Sequence, residues 1–299
     1  MTHKWEWKDF EVAWQIEDSS IQNSPIATVL IHGFGACKEH WRHNQKVLGS
    51  VATCYSIDLI GFGESSQPKS QLIDDYDESN YIYCFDNWAQ QIAIFCKDIV
   101  KKKVVLIGNS IGGVIALKSA ELLGKNCSGV VLINCAQRRM DDKRLSEKVI
   151  GLNLTRPILK KLIKQRWLSN LIFKNVAKPF FIKKVLKIAY PTGNNIDKSL
   201  IEILYKPTKR LGASESFRGF INLFNDYLAP NIMQNLEIPV DMIWGEMDPW
   251  EALEEAKQWH ASINCVRSLE VIPGCGHCPH DEQPNLVNPL LLKIIQQAI

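Results

Sequence analysis

The chain has 299 residues, 46% of them hydrophobic and 22% charged, a balance that excludes a disordered segment and allows one large core with an insertion. Its 35 basic and 32 acidic residues leave a net charge of +3, too little for a dedicated nucleic-acid binder. Nine cysteines scattered through mostly apolar stretches read as reduced thiols, and a charged N-terminus with no apolar run near the roughly 20 residues of a membrane span points to a cytoplasmic protein, at most peripheral to a membrane.

Phe10, Val12, Trp14 and Ile16 alternate with polar or small residues, which predicts a half-buried strand. Continuous apolar runs follow at Ile26 to Ile31, Val51 to Ile57, Val104 to Ile107 and Val130 to Ile133, then at Val240 to Trp244 and Leu269 to Ile272. Such runs predict strands buried on both faces, as in a parallel sheet. Between them lie helix-length segments, Asn87 to Val100, Ile111 to Leu123, Glu251 to Ser262 and Pro284 to Ala298. The alternation predicts an α/β fold with a mostly parallel, doubly wound sheet. From Arg138 to Asn231 it is interrupted by helix-like stretches broken at Pro157, Pro179, Pro191, Gly193, Pro207 and Gly212. We therefore expect a core made of residues 1–137 and 232–299, with a helical cap inserted at 138–231.

The most specific motif is Gly108-Asn109-Ser110-Ile111-Gly112, a Gly-x-Ser-x-Gly set directly after an apolar run and directly before a helix. In that context it reads as a nucleophile elbow: small neighbours permit the tight bend, and the helix N-terminus offers positive potential and a free N–H to a developing oxyanion. A glycine turn with a serine N-cap is the alternative. The elbow reading requires an acid and then a histidine, each past a later strand. Asp248 follows the Val240 run and His277 follows the Leu269 run. His277 is then the general base for Ser110, and Asp248 fixes its tautomer. Glu246 is the rival acid, with less freedom to reach across. His32-Gly33-Phe34-Gly35, after the first buried run, matches the loop that completes an oxyanion hole, so the backbone N–H groups of Phe34 and Ile111 are the expected donors. His32, Gly33 and Gly35 are expected to support that loop.

Other motifs lack their partners. Cys275, Cys278 and His280 have no second ligand pair at zinc spacing, and Pro279 stands where haem attachment needs histidine. Gly33-Phe34-Gly35 and Gly61-Phe62-Gly63 lack the third glycine of a dinucleotide fingerprint. Neither a metal nor a cofactor is expected, since a serine triad with two amide donors holds all that acyl transfer needs.

Taken together, His32 to Gly35, Asp58-Leu59-Ile60-Gly61-Phe62-Gly63-Glu64-Ser65, the Ser110 elbow, Trp244 to Asp248 and Gly276-His277 resemble the α/β-hydrolase superfamily over nearly the whole chain. Within it, His40-Trp41-Arg42, Asp248-Pro249-Trp250-Glu251 and Gly276 to Glu282 look like the branch of photosynthetic organisms that includes pheophytinase and chlorophyll dephytylase. The resemblance implies hydrolysis of a bulky apolar ester, such as a phytyl ester, by Ser110, Asp248 and His277. Haloalkane dehalogenases and epoxide hydrolases are similar in layout but use aspartate where this chain has Ser110. The meta-cleavage C–C hydrolases share a serine elbow and stay open as an alternative, as does a non-catalytic receptor or scaffold, a class that typically loses a triad member.

Charge is distributed unevenly. Residues 138–210 hold 19 Lys or Arg against 5 Asp or Glu, leaving 16 against 27 elsewhere. Interleaved apolar residues, among them Leu159, Leu162, Ile163, Trp167, Leu171 and Phe180, suit either packing or an interface. This basic stretch is expected to contact an anionic partner, namely membrane lipid, beside which a solvated lysine rim is the alternative.

Overall fold

In a computed structural model that describes residues 1–21, 24–73, 81–138, 141–145 and 164–298, the chain opens with β1 (His3–Trp7) and β2 (Phe10–Glu17), an antiparallel pair. β3 (Ile26–Ile31) and β4 (Thr53–Ile57) follow, β4 pairing antiparallel with β2 and parallel with β3. β4 starts two residues later than expected, because Val51 and Ala52 lie in the turn that closes the short helix α1 (Gln45–Leu48). A small parallel pair, β5 (Ser70–Gln71) and β6 (Tyr81–Ile82), precedes α2 (Phe85–Phe95). The next turn of α2 widens to a π-helix over Cys96–Val100 and stops at Lys101, which takes the left-handed conformation at φ 54°.

Then come β7 (Lys103–Asn109), α3 (Ile111–Leu123) and β8 (Cys127–Ile133). Between β8 and the next strand only helices occur among the described residues: α4 (Asp142–Leu145), α5 (Arg166–Val176), α6 (Pro179–Ala189), α7 (Lys198–Tyr205), α8 (Ala213–Gly219) and α9 (Ala229–Met233). Pro157, Leu159, Leu162 and Ile163 lie outside the described residues. The chain closes with β9 (Val240–Gly245), α10 (Leu253–Ser262), β10 (Val266–Ile272), α11 (Pro279–Glu282) and α12 (Pro284–Gln297).

The sheet order is β1-β2-β4-β3-β7-β8-β9-β10, with β3, β4 and β7 to β10 parallel. Because strand side chains alternate, Val29, Ile31, Leu106 and Leu132 enter one core with α2, α3 and α10, while Leu30, Ile107, Val131 and Ile133 enter a second core with Trp41 and α12. β10 departs from the expected two-sided burial. As the edge strand it leaves Arg267 exposed and Ser268 to Val271 half-buried. Leu223, Ala229, Ile232 and Met233 share the first core, whereas Leu186, Ala189, Tyr190 and Leu200 form a separate cluster with Cys278. No helix among the described residues is long and apolar enough to cross a membrane.

β3 leads to β4 on one side and β7 returns on the other, so strand order reverses between β3 and β7. A crevice opens at the carboxyl ends of strands at such a switch point. The loops that carry His32 to Gly35 and Ser110 begin there.

Candidate active site

Ser110 lies between β7 and α3 at φ 56°, ψ −122°, a strained conformation for a residue with a Cβ. The bend is possible because its neighbours lack side chains. A Cβ on Gly108 would lie 2.1 Å from the Gly112 carbonyl oxygen, and one on Gly112 would lie 2.3 Å from that of Ile31. The Ser110 N–H donates to Ile133 at 3.1 Å, and its carbonyl accepts from Gly113 and Ala136 at 3.0 Å each. Ile111 opens α3, so its N–H belongs to the helix turn without internal partners. The Phe34 loop comes up against the elbow, and even a Cβ on Gly33 would lie only 3.2 Å from the Ser110 Cβ. Gly35 turns that loop at φ 73°.

His277 is buried and held at three points. Its ring Nδ1–H donates to Asp248 Oδ2 at 2.8 Å, which leaves Nε2 with a lone pair. Its N–H donates to the Ala189 carbonyl at 2.8 Å, and its own carbonyl accepts from Asn109 Nδ2 at 3.0 Å. Asn109 adjoins Ser110, so the histidine loop is tied directly to the elbow. Trp250 packs edge-on against the ring, 4.8 Å between centroids. Burial opposes ionisation of Asp248, yet the bonds from His277, the Trp250 N–H and Asn134 prevail and hold its carboxyl below the usual value. Asn134, left-handed at φ 43°, donates to Asp248 Oδ2 at 2.6 Å and accepts from the Gly245 N–H at 2.9 Å, bracing β8 against β9. Glu246 faces another way and accepts from the Gly274 N–H at 3.0 Å.

His32 is fully buried, donating from Nδ1 to the Gly33 carbonyl at 2.7 Å and accepting the Leu59 N–H on Nε2 at 3.1 Å. Burial drives its pKa down to about 3. Since the unfolded ring titrates near ~6.5, this group contributes stability that is complete above that pH and is lost as pH falls toward 3. Below ~6.5 the loss is about 1.4 kcal/mol per pH unit. His32→Gln removes that slope, so the stability gap to wild type should narrow by about 2 kcal/mol between pH 7 and pH 5 in urea titrations. An unchanged gap would mean that His32 is not buried neutral.

Cys275, Cys278 and His280 serve separate partners. The Cys275 thiol meets Glu282 Oε2 at 3.1 Å, Cys278 approaches Asn109 Oδ1 at 3.8 Å, and His280 packs on Trp41 at 4.3 Å. Among the described residues the one grouping of potential metal ligands is Cys37, Glu39 and Asp58. A cation already stands there. Buried Lys38 Nζ lies 2.6 Å from Glu39, 3.1 Å from Asp58 and 2.9 Å from Glu64. Burial pushes Asp58 up to about 6 against the pull of Lys38 and two backbone N–H groups, so it is ionised at neutral pH. Burial disfavours the Lys38 charge as well, but its carboxylates outweigh that and raise its pKa.

Residues 28–290 match the family model described as the alpha/beta hydrolase family. The chain belongs to that family. This α/β hydrolase is 25% identical to the chloroplastic pheophytinase of Arabidopsis thaliana over 89% of its own length, spanning 60% of that protein. It is 22% identical to the human (lyso)-N-acylphosphatidylethanolamine lipase, covering 94% of this chain and 82% of that one. Among solved structures, the ligand-free epoxide hydrolase CorEH superimposes with a TM-score of 0.77 at 17% identity, covering 100% and 99% of the two chains. The hydrolase fold and the resemblance to pheophytinase implied by the motifs are thus both shown.

The sequence motifs name Asp281 and Glu282 but give no role to these polar residues, which brace the loops of the candidate site. Glu282 is fully engaged: one carboxylate oxygen accepts the Gly276 N–H at 2.7 Å, and the other accepts the Thr192 N–H and hydroxyl at 2.9 and 2.6 Å. Asp281 accepts from Arg42 at 2.8 Å and from the Tyr190 hydroxyl at 3.0 Å. Their position just after the Gly276-His277 motif was the available signal, but Thr192, Arg42 and Tyr190 lie far away in sequence.

Proposed function

We propose that this α/β hydrolase cleaves a carboxylic ester of a bulky apolar substrate through an acyl-enzyme on Ser110, and that residues 138–231 act as its cap. The single observation that carries the reading is the 2.8 Å bond from His277 to Asp248, on a loop that Asn109 ties to the elbow. His277 Nε2 takes the Ser110 proton as the hydroxyl attacks the ester carbonyl, and Asp248 stabilises the imidazolium. The Phe34 and Ile111 N–H groups receive the oxyanion. Collapse expels the alcohol, protonated by His277, and water then releases the acid by the same route in reverse.

The aromatic surroundings favour an apolar substrate. Phe34 packs on Phe62 and Phe220 at 5.4 and 4.5 Å, and Trp250 flanks His277. The names of its relatives, a pheophytinase and a lipase, support a lipophilic ester. The basic surplus of residues 138–210 supports a protein peripheral to an anionic membrane, and nine cysteines, none of them in a disulfide, support an aqueous reducing compartment.

A fluorophosphonate probe followed by peptide mapping tests the chemistry. Label on Ser110, with turnover of chromogenic esters or a phytyl ester, is expected. Failure to label would favour a non-catalytic scaffold, and turnover of a dienoate C–C substrate without ester turnover would favour a C–C hydrolase.

Glu282 touches the histidine loop rather than any substrate, so it is a positioning residue. Glu282→Gln should lower kcat roughly 10- to 100-fold through misalignment of His277 while leaving KM nearly unchanged. Glu282→Asp should recover part of the loss. A rise in KM at constant kcat would contradict this role.

A further inference from the structure

Residues 166–189, which form α5, α6 and the link between them, contain one arginine and five lysines and no Asp or Glu. Each helix has an inner face that is already satisfied. On α6, Ile182, Leu186 and Ala189 pack with Tyr190, Leu200 and Cys278. On α5, Ser169 is buried and the Phe173 ring packs against Phe217 at 6.0 Å. An amphipathic helix in water would then be polar on its other side. These two are not. α5 carries Trp167, 68% exposed, and Leu171, 52% exposed, in line with Lys174 at i, i+4 and i+7, and exposed Lys178 follows in the link to α6. α6 turns outward Phe180, 82% exposed, and Ile188, 50% exposed, beside Lys183, Lys184 and Lys187.

Isolated exposed apolar residues are ordinary. Here, however, large rings and aliphatic side chains share their stripes with cations, and Lys174, Lys183, Lys184 and Lys187 form no ion pair with a described residue. Lysines that border exposed aromatics on a surface helix match the headgroup layer of an anionic bilayer, where rings insert at the acyl boundary and ammonium groups meet phosphates. An acidic protein surface would use the charge but give Trp167 and Phe180 no apolar phase to enter.

We infer that the outer faces of α5 and α6 are the surface by which this protein docks on anionic phospholipid bilayers. This rests on the proposed lipophilic ester only for its purpose and specifies where on the chain the membrane is met. α6 ends at Ala189, whose carbonyl holds the His277 N–H. The C-terminal end of the docked helix therefore touches the histidine loop.

The test is co-sedimentation of the full chain with vesicles of phosphatidylcholine containing one quarter phosphatidylglycerol, and with pure phosphatidylcholine, at low and high salt. Wild type is expected to pellet with the anionic vesicles at low salt only. Lys183→Glu combined with Lys184→Glu and Lys187→Glu should weaken that binding at least about 100-fold. Trp167→Ser with Phe180→Ser should weaken it as well. Both variants should keep wild-type turnover of a short water-soluble ester, which reports folding and the site. No pelleting at low salt, equal pelleting with pure phosphatidylcholine, or undiminished binding by both variants would overturn the inference. So would a gel-filtration shift from dimer to monomer in the variants, which would assign the face to a second copy. Binding should persist in Ser110→Ala, so a failure of the hydrolase reading would leave this result intact.

Discussion

Ser110→Ala should yield a folded protein whose ester hydrolysis is slower by on the order of 10⁶. A hydroxyl is a poor nucleophile unless a base removes its proton, and His277 presents a lone pair on Nε2 only because its Nδ1–H is committed to Asp248. Nucleophile and base act as a unit, so His277→Ala should cost as much as Ser110→Ala, and the double variant no more than either. Asp248→Asn should be about 100-fold less damaging, because the serine and histidine remain in place while the imidazolium loses its counter-charge. Glu246→Gln should leave turnover unchanged, its carboxylate being engaged with Gly274. Steady-state kinetics on one chromogenic ester reads all five variants. If Asp248→Asn is silent and Glu246→Gln is not, the acid is Glu246.

Asp58→Ala should destabilise the fold by about 3–5 kcal/mol, the range for breaking a buried ion pair from one side. Lys38 and Asp58 are both buried, and the carboxylate also accepts the Lys38 and Glu64 N–H groups at 2.7 Å each. Removing it leaves the buried ammonium only the partly exposed Glu39 and Glu64 carboxylates, leaves two N–H donors unpaired and loosens the loops on either side of His32. Asp58→Asn keeps the shape and should lose less. Lys38→Met in that background should recover part of the deficit, because the buried ammonium that lost its one fully buried partner is gone, while Glu39 and Glu64 are partly exposed to water. Urea unfolding of the single and double variants gives the values. A single variant with a wild-type midpoint would show that this pair does not anchor the loops.

The buried strands were legible because strands apolar on both faces have few other places to go, and the elbow was legible because strand, Gly-x-Ser-x-Gly and helix stand next to one another in the chain. β1 was not, since an edge strand bearing His3, Lys4 and Glu6 needs no apolar pattern. β10 read as more buried than it is for the related reason that sequence does not say which strand takes the edge. The supports of the site escaped because their partners are remote: Asn134 meets Asp248 across 114 residues and Asn109 meets His277 across 168. An asparagine in a turn carries no mark of which loop it will meet.

The contact between Ala189 and His277 also limits how this protein could be rebuilt. A Cβ on Gly276 would lie 2.0 Å from the Ala189 carbonyl oxygen and 2.4 Å from Pro191 Cδ, so the two backbones touch with no side chain between them. A chimera that exchanged the whole helical segment with a relative's would cut through that contact and through the Thr192 bonds to Glu282. The transplantable module therefore stops before Ala189. Residues 189–197, the last residue of α6 and the segment after it, must travel with the histidine loop.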